Sequence, residues 1–120
     1  MARQQAIGKW GEDLAAKYLR DKGFEILGRN VRTPYGELDI IARSGQTILF
    51  VEVKTRTSSS FGMPEVSVNQ HKIRHLLDAA QAYIQNYPEA ECEWRVDVIA
   101  IQGKPGDKSP RIEVFENAVS

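Results

Sequence analysis

A single cysteine, Cys92, stands in 120 residues. It cannot close an internal disulfide, and a four-cysteine zinc site is excluded. Such sparing cysteine usage fits a reducing compartment, so a cytoplasmic home is the expectation. No apolar run approaches the roughly 18–20 residues that cross a bilayer, and no membrane association is expected. The opening MARQQAIGKWGE holds no apolar stretch of the kind a secretory leader carries. A Gly-rich phosphate loop and the GxSxG elbow of hydrolases are missing as well. Net charge is also lacking, because 16 basic residues balance 16 acidic ones. That argues against a bulk electrostatic coat for nucleic acid, although a sum is silent on distribution.

What is present is an ordinary globular composition, 42% apolar and 27% charged, which excludes disordered and collagen-like chains. The length leaves room for one hydrophobic core. The charge is unevenly spread. Arg29, Arg32, Arg43, Lys54, Arg56, Lys72 and Arg74 share a span with four acids, Glu37, Asp39, Glu52 and Glu65. The rest of the chain leans acidic, so the middle is locally positive. A solvated face is the plain account of such a bias.

Ile7, Trp10, Leu14 and Tyr18 fall on one stripe, widened by Ala15 and Leu19, and predict a helix over 5–22 that stops at Gly23. Residues 24–32 suit a strand with an awkward Gly28. Pro34-Tyr35-Gly36 is turn chemistry. Residues 37–43 and 47–54 are two β-rich runs whose natural join is a hairpin. Residues 55–65 read as a loop. Ile73, Leu76, Leu77, Ala80, Tyr83, Ile84 and Tyr87 mark a second helix over 69–87, ended by Pro88. Residues 94–101 form an apolar strand of the kind buried on both faces, and 111–117 an edge strand. The strand at 94–101 follows a helical crossover and should lie parallel to 47–54. The order α-β-β-β-α-β predicts an α/β chain with a mixed central sheet flanked by helices.

With Ser44-Gly45 as the hairpin loop, Arg43 opposes Gln46, Asp39 opposes Phe50 and Glu37 opposes Glu52. Asp39 and Glu52 are then diagonal neighbours on one face, about 7–8 Å apart at the backbone, with Lys54 on the same face. Three carboxylates amid Ile41 and Phe50 repel one another, and a hard divalent cation with oxygen ligands, Mg²⁺ or Mn²⁺, relieves that repulsion. The structural alternative is that Glu52 merely pairs with Lys54, or that Asp39 caps a strand end. Glu12, on the border of the first helix's apolar stripe, either reaches the same ion or is a solvated first-turn acid. Gln70 and Lys72 flank the second helix's stripe near its start. His71 and His75 have metal-pair spacing but fall on the opposite, polar face. Asp97, in a buried strand, reads as hydrogen-bonded structure.

GELDII at 36–41 and FVEVKTR at 50–56 set Asp39, twelve residues, then Glu52-Val53-Lys54. This resembles the PD-(D/E)XK nuclease superfamily. The preceding Gly8-to-Glu12 helix segment is similar to archaeal Holliday-junction resolvases. WGEDLAAKYL, GRNVRTPYGELDIIA, FVEVKTRTSSSFG and RVDVIAI together resemble the YraN family of small bacterial proteins, over roughly residues 7–101. Leu38 stands where the superfamily often has proline. The resemblance implies a single restriction-endonuclease-like domain over 1–120 and a metal-dependent nuclease acting on DNA, branched or otherwise structured. Asp39, Glu52 and the Val53 carbonyl would bind Mg²⁺ or Mn²⁺. Lys54 would serve the attacking water, and Glu12 would match the helix-borne acid of the resolvase branch. Gln70 or Lys72 would be the accessory polar residue, and Arg32, Arg56 and Arg74 would hold flanking phosphates. DNA is placed ahead of RNA as the partner, and a resolvase-like role would need two sites and hence a homodimer. The rival is a non-catalytic nucleic-acid-binding module on the same fold.

Overall fold

A computed structural model describes residues 2–57, 70–86 and 93–116, without the side chains of 2–4, 70 and 71. The elements are α1 (Ala2–Asp21), β1 (Glu25–Thr33), β2 (Gly36–Ser44), β3 (Thr47–Arg56), α2 (Gln70–Gln85), β4 (Glu93–Gln102) and β5 (Arg111–Phe115). The apolar stripe of α1 runs out at Leu19, and Gly23, at φ 96°, turns the chain so that the Phe24 N–H returns to the Leu19 carbonyl. The expected residues Glu65, Tyr87 and Cys92 lie outside the described residues, as does the stretch 58–69.

The five strands form one sheet in the order β1-β2-β3-β4-β5. β1, β2 and β3 run antiparallel in turn, β4 lies parallel to β3, and β5 returns antiparallel at the edge. The predicted mixed sheet between helices is therefore what forms. On one face α1 lays Ala15, Ala16 and Leu19 against Ile40, Leu49, Val51, Ile99 and Ile101. On the other, α2 lays Leu76, Ala79 and Ala80 against Ile41, Ile48, Phe50 and Val96. Phe50 is the hub of that second core, edge-on to both Tyr83 and Trp94 at 5.7 Å. Among the described residues, no helix is long and apolar enough to cross a membrane.

Two details depart from expectation, and both position the site. The hairpin closes one residue later than predicted: Ser44 pairs with Thr47, leaving Gly45-Gln46 as the turn. Gly45 takes the positive φ (60°) that a tight hairpin needs at its first central position. The register therefore slides by two residues, and Glu37 does not oppose Glu52. The β2–β3 ladder ends at Ile40–Val51. Beyond it β2 stays with β1, pairing Leu38 with Val31 and Glu37 with Arg32, while β3 stays with β4 through Glu52–Val98 and Val53–Ile99. A fork opens between the two central strands.

The second departure is a reversal of faces. Leu38 and Ile40, two residues apart, should share a face, yet Leu38 belongs to the α2 core and Ile40 to the α1 core. The neighbouring strand has a left-handed residue at the same level, Asn30 at φ 54°. Asn tolerates that conformation where most side chains do not. The kink swings the end of the β1–β2 hairpin over towards α2. The awkward Gly28 marks a bulge, where the β1 register shifts between Ile26 and Gly28.

Candidate functional site

Asp39 stands where the fork opens, between the last ladder pair and the reversed end of β2. Parting the strands strips the Val53 N–H of a backbone partner on that side, and Asp39 Oδ2 accepts it at 2.9 Å. Glu52, the next residue of β3 beyond the ladder, is on the α2 face and only 4% exposed. Its Oε2 lies 3.0 Å from Lys72 Nζ on α2 and 3.6 Å from Lys54 Nζ on its own strand. Two ammonium groups thus flank the buried Glu52 carboxylate and offset the cost of its burial. The alternative pairing of Glu52 with Lys54 is present, but as part of a larger set. Asp39 is less well compensated. Burial, then the charge of Glu52, push its pKa up to about 7, against the pull of the Val53 N–H; Glu12 adds to the rise and Lys72 opposes it.

Glu12 approaches from α1. Its Oε1 accepts Arg29 Nη2 at 3.1 Å and Asn30 Nδ2 at 3.0 Å, and the same Arg29 nitrogen reaches Asp13 Oδ1 at 2.7 Å. It is therefore an engaged acid, whose charge still bears on Asp39. The preceding residue explains its placement. Gly11 is buried, and a Cβ there would collide with the Thr55 side chain. Only glycine lets α1 settle this closely on β3 and carry Glu12 to the fork.

On the α2 side, Glu52 and Lys72 line a cavity of about 220 Å³ with Tyr35, Gly36, Glu37, His75 and Leu76. His75 was expected on the face away from the site. It lies in this cavity instead, with Nδ1 3.3 Å from the Tyr35 carbonyl, because the reversed hairpin end reaches over to α2. No motif marked Tyr35, and His75 was marked only by its i, i+4 spacing to His71, which does not point to this cavity. Glu37 is exposed at the rim. Arg32 lines a different cavity, with Tyr83 and Asn86. Arg56 ends β3 beside Gln102, and Arg74 is exposed on α2. None of these three arginines lines the cavity that holds Glu52. The side chains of Gln70 and His71 lie outside the described residues. Asp97, 1% exposed, accepts Arg95 Nε at 3.1 Å and Nη2 at 3.3 Å, a structural pairing as expected.

Among the described residues, no three His, Cys, Asp or Glu side chains converge to hold a metal. This corrects the expected trio, since the slid register leaves Glu37 at the rim. Two carboxylates remain at the fork, together with Val53, whose carbonyl points to the same side of the strand as its N–H. Mg²⁺ is commonly held by one or two carboxylates with retained waters, so the donor set suits such an ion. Burial raises the Asp39 pKa most and the Glu52 charge adds to it; that second contribution is what a divalent charge would relieve.

Residues 11–101 match the Uncharacterised protein family UPF0102. The chain belongs to that family, which is the one its YraN resemblance anticipated. Its relatives include a UPF0102 protein of Thermodesulfovibrio yellowstonii, 48% identical over 98% of both chains. One of Syntrophotalea carbinolica is 47% identical over 94% of this chain and 90% of that protein. Another, of Syntrophomonas wolfei, is 48% identical over 83% of this chain and 87% of its own.

Proposed function

We propose that this protein is a metal-dependent nuclease that hydrolyses phosphodiester bonds of DNA, with branched or otherwise structured DNA as its substrate. The observation that carries the reading is the fork between β2 and β3, where Asp39 and Glu52 meet beside Lys54. Lys72 and Lys54 counter the Glu52 charge and Asp39 caps the Val53 N–H, yet the two acids still face one another at the fork, and that arrangement supports a cation site. Asp39, Glu52 and the Val53 carbonyl would hold Mg²⁺ or Mn²⁺. Such an ion, when bound, neutralises the scissile phosphate and lowers the pKa of bound water. Lys54 would donate a hydrogen bond that orients the attacking water and would stabilise charge developing on the phosphate. Glu12, fixed by Arg29 and Asn30, adds negative charge from the α1 side and strengthens the site's demand for a cation.

The rival reading, a nucleic-acid-binding module without catalysis, is favoured by one observation: Lys72 already offers Glu52 a cation at 3.0 Å. A cleavage screen separates the two. Linear duplex, single-stranded, flap and four-way DNA are incubated with Mg²⁺ or Mn²⁺, with Glu52→Gln as control because it keeps the side chain's shape. Metal-dependent cleavage that Glu52→Gln abolishes supports the nuclease. Binding without cleavage of any of the four gives the binding module precedence.

A further inference from the structure

The hairpin tip between β1 and β2 carries a feature that the hydrolytic residues do not use. Tyr35 is the exposed large hydrophobic residue among those described, at 51% of its surface. A single exposed aromatic is ordinary on a protein surface. This one is unusual in how it is held. Thr33 Oγ1 accepts the Tyr35 N–H at 3.1 Å and donates to the Gly36 carbonyl at 2.7 Å. His75 Nδ1 meets the Tyr35 carbonyl at 3.3 Å, which requires the proton on Nδ1. Pro34 restricts φ immediately before it, and Gly36, at φ 130°, allows the sharp return into β2. The backbone of Tyr35 is thus tied from both sides while the residue stays half exposed.

The residue also stands at a defined place. Tyr35 is one of the residues lining the cavity of about 220 Å³ that holds Glu52, Lys72 and His75. Sites for drug-sized ligands run about 300–1,000 Å³, so this one suits a flat fragment rather than a length of chain. Its lining mixes an aromatic residue with Lys72 and His75, groups that suit a phosphate, and with the carboxylates of Glu37 and Glu52. An aromatic residue combined with cationic groups is how proteins hold single-stranded nucleic acid.

We infer that Tyr35 is a stacking platform for one unpaired nucleobase beside the scissile phosphate, so that the site takes strands with an exposed base and discriminates against continuous duplex. The inference rests on the nuclease reading and specifies its substrate class. A base inside a duplex must leave its stack before it can cover the Tyr35 ring, whereas a base at a flap, branch point or single strand has already done so. The preference therefore comes from the cost that the substrate avoids, and it requires no reading of base edges.

The test measures binding rather than cleavage, in EDTA, with oligonucleotides carrying 2-aminopurine, whose fluorescence is quenched by stacking. Single-stranded, flap, four-way and continuous-duplex forms are titrated with wild type, Tyr35→Phe and Tyr35→Ala. Wild type and Tyr35→Phe should quench the open-strand probes and bind them more tightly than duplex. Tyr35→Ala should lose on the order of 10-fold in affinity for open strands, with the quench, and leave duplex affinity unchanged. Equal affinity of Tyr35→Ala and wild type for the open-strand probes overturns the stacking inference and leaves the nuclease reading standing. Binding of none of the probes by wild type overturns the inference together with the nucleic-acid reading beneath it.

Discussion

Lys72 Nζ rests 3.0 Å from Glu52 Oε2, so a cation carried by α2 already occupies one side of the buried carboxylate on β3. Two elements far apart in sequence are tied by charge at the mouth of the fork. Lys72→Met should remove the tie while keeping the aliphatic stem. Because Lys72 is itself 44% exposed and Lys54 remains near the acid, the loss should be about 1–2 kcal/mol, below the cost of orphaning a fully buried charge. Mn²⁺ should then stabilise the variant by more than it stabilises wild type, because it no longer competes with the ammonium. Melting curves with and without MnCl₂ check this. An equal metal shift in both proteins would separate Lys72 from the metal site.

The raised pKa of Asp39 predicts an unusual pH dependence for the metal-free protein. The ordinary value is 3.8 and the folded value about 7. Between the two, the folded state binds a proton that the unfolded state does not. The contribution to stability is thus greatest below the lower value and is lost as pH rises through about 7. Asp39→Asn, whose amide oxygen can still accept the Val53 N–H, should flatten that decline and be more stable than wild type near pH 8. Urea unfolding in EDTA from about pH 5 to pH 8 gives the comparison. Parallel profiles for the two proteins would mean that Asp39 is ionised in the fold at little cost.

A divalent ion must displace the Asp39 proton. Metal-induced stabilisation should therefore be larger near pH 8 than near pH 6. At about 100 times the dissociation constant it amounts to about 2.7 kcal/mol, a rise in melting temperature of several degrees. Asp39→Asn should lose most of it. Lys54→Ala should keep it, since lysine is not a ligand, while cleavage falls by about 10²-fold or more. A melting curve indifferent to Mn²⁺, both alone and with DNA, would remove the metal from the site.

Gly11 and Thr55 should behave as a coupled pair. Gly11→Ala forces α1 away from β3 and should cost about 1–3 kcal/mol, the usual range for overpacking. It should also reduce cleavage, because Glu12 is the next residue and moves with the helix. Adding Thr55→Ala makes room for the new methyl group and should restore most of the stability. Chemical denaturation of the two single variants and the double variant reads the coupling. Simple additivity would show that the close approach is not what keeps residue 11 a glycine.

The elements and their layers were written locally. The stripe through Trp10, Leu14 and Tyr18 and the one through Leu76, Ala80 and Tyr83 each need one apolar face, and the β-rich runs at 37–43 and 47–54 must lie between them. The parallel pairing of β3 with β4 follows from a helical crossover. Asp39, Glu52 and Lys54 were legible for a related reason: charged residues within apolar strands are costly, and their two-residue alternation and spacing survive in the sequence.

Tertiary structure decided how those residues meet. Whether Asp39 or Glu37 comes level with Glu52 depends on a one-residue change in hairpin closure, and that follows from which residue can adopt positive φ in the turn. The face taken by Leu38 depends on a left-handed Asn30 in a different strand, which no alternation pattern in β2 can express. That reversal brings Tyr35 to His75, and the crossover brings Lys72 to Glu52, across separations of 40 residues and 20. Local sequence encodes the periodicity of each segment, because backbone geometry acts over a few residues. Contacts between segments depend on turn geometry and close packing, which only the assembled chain possesses.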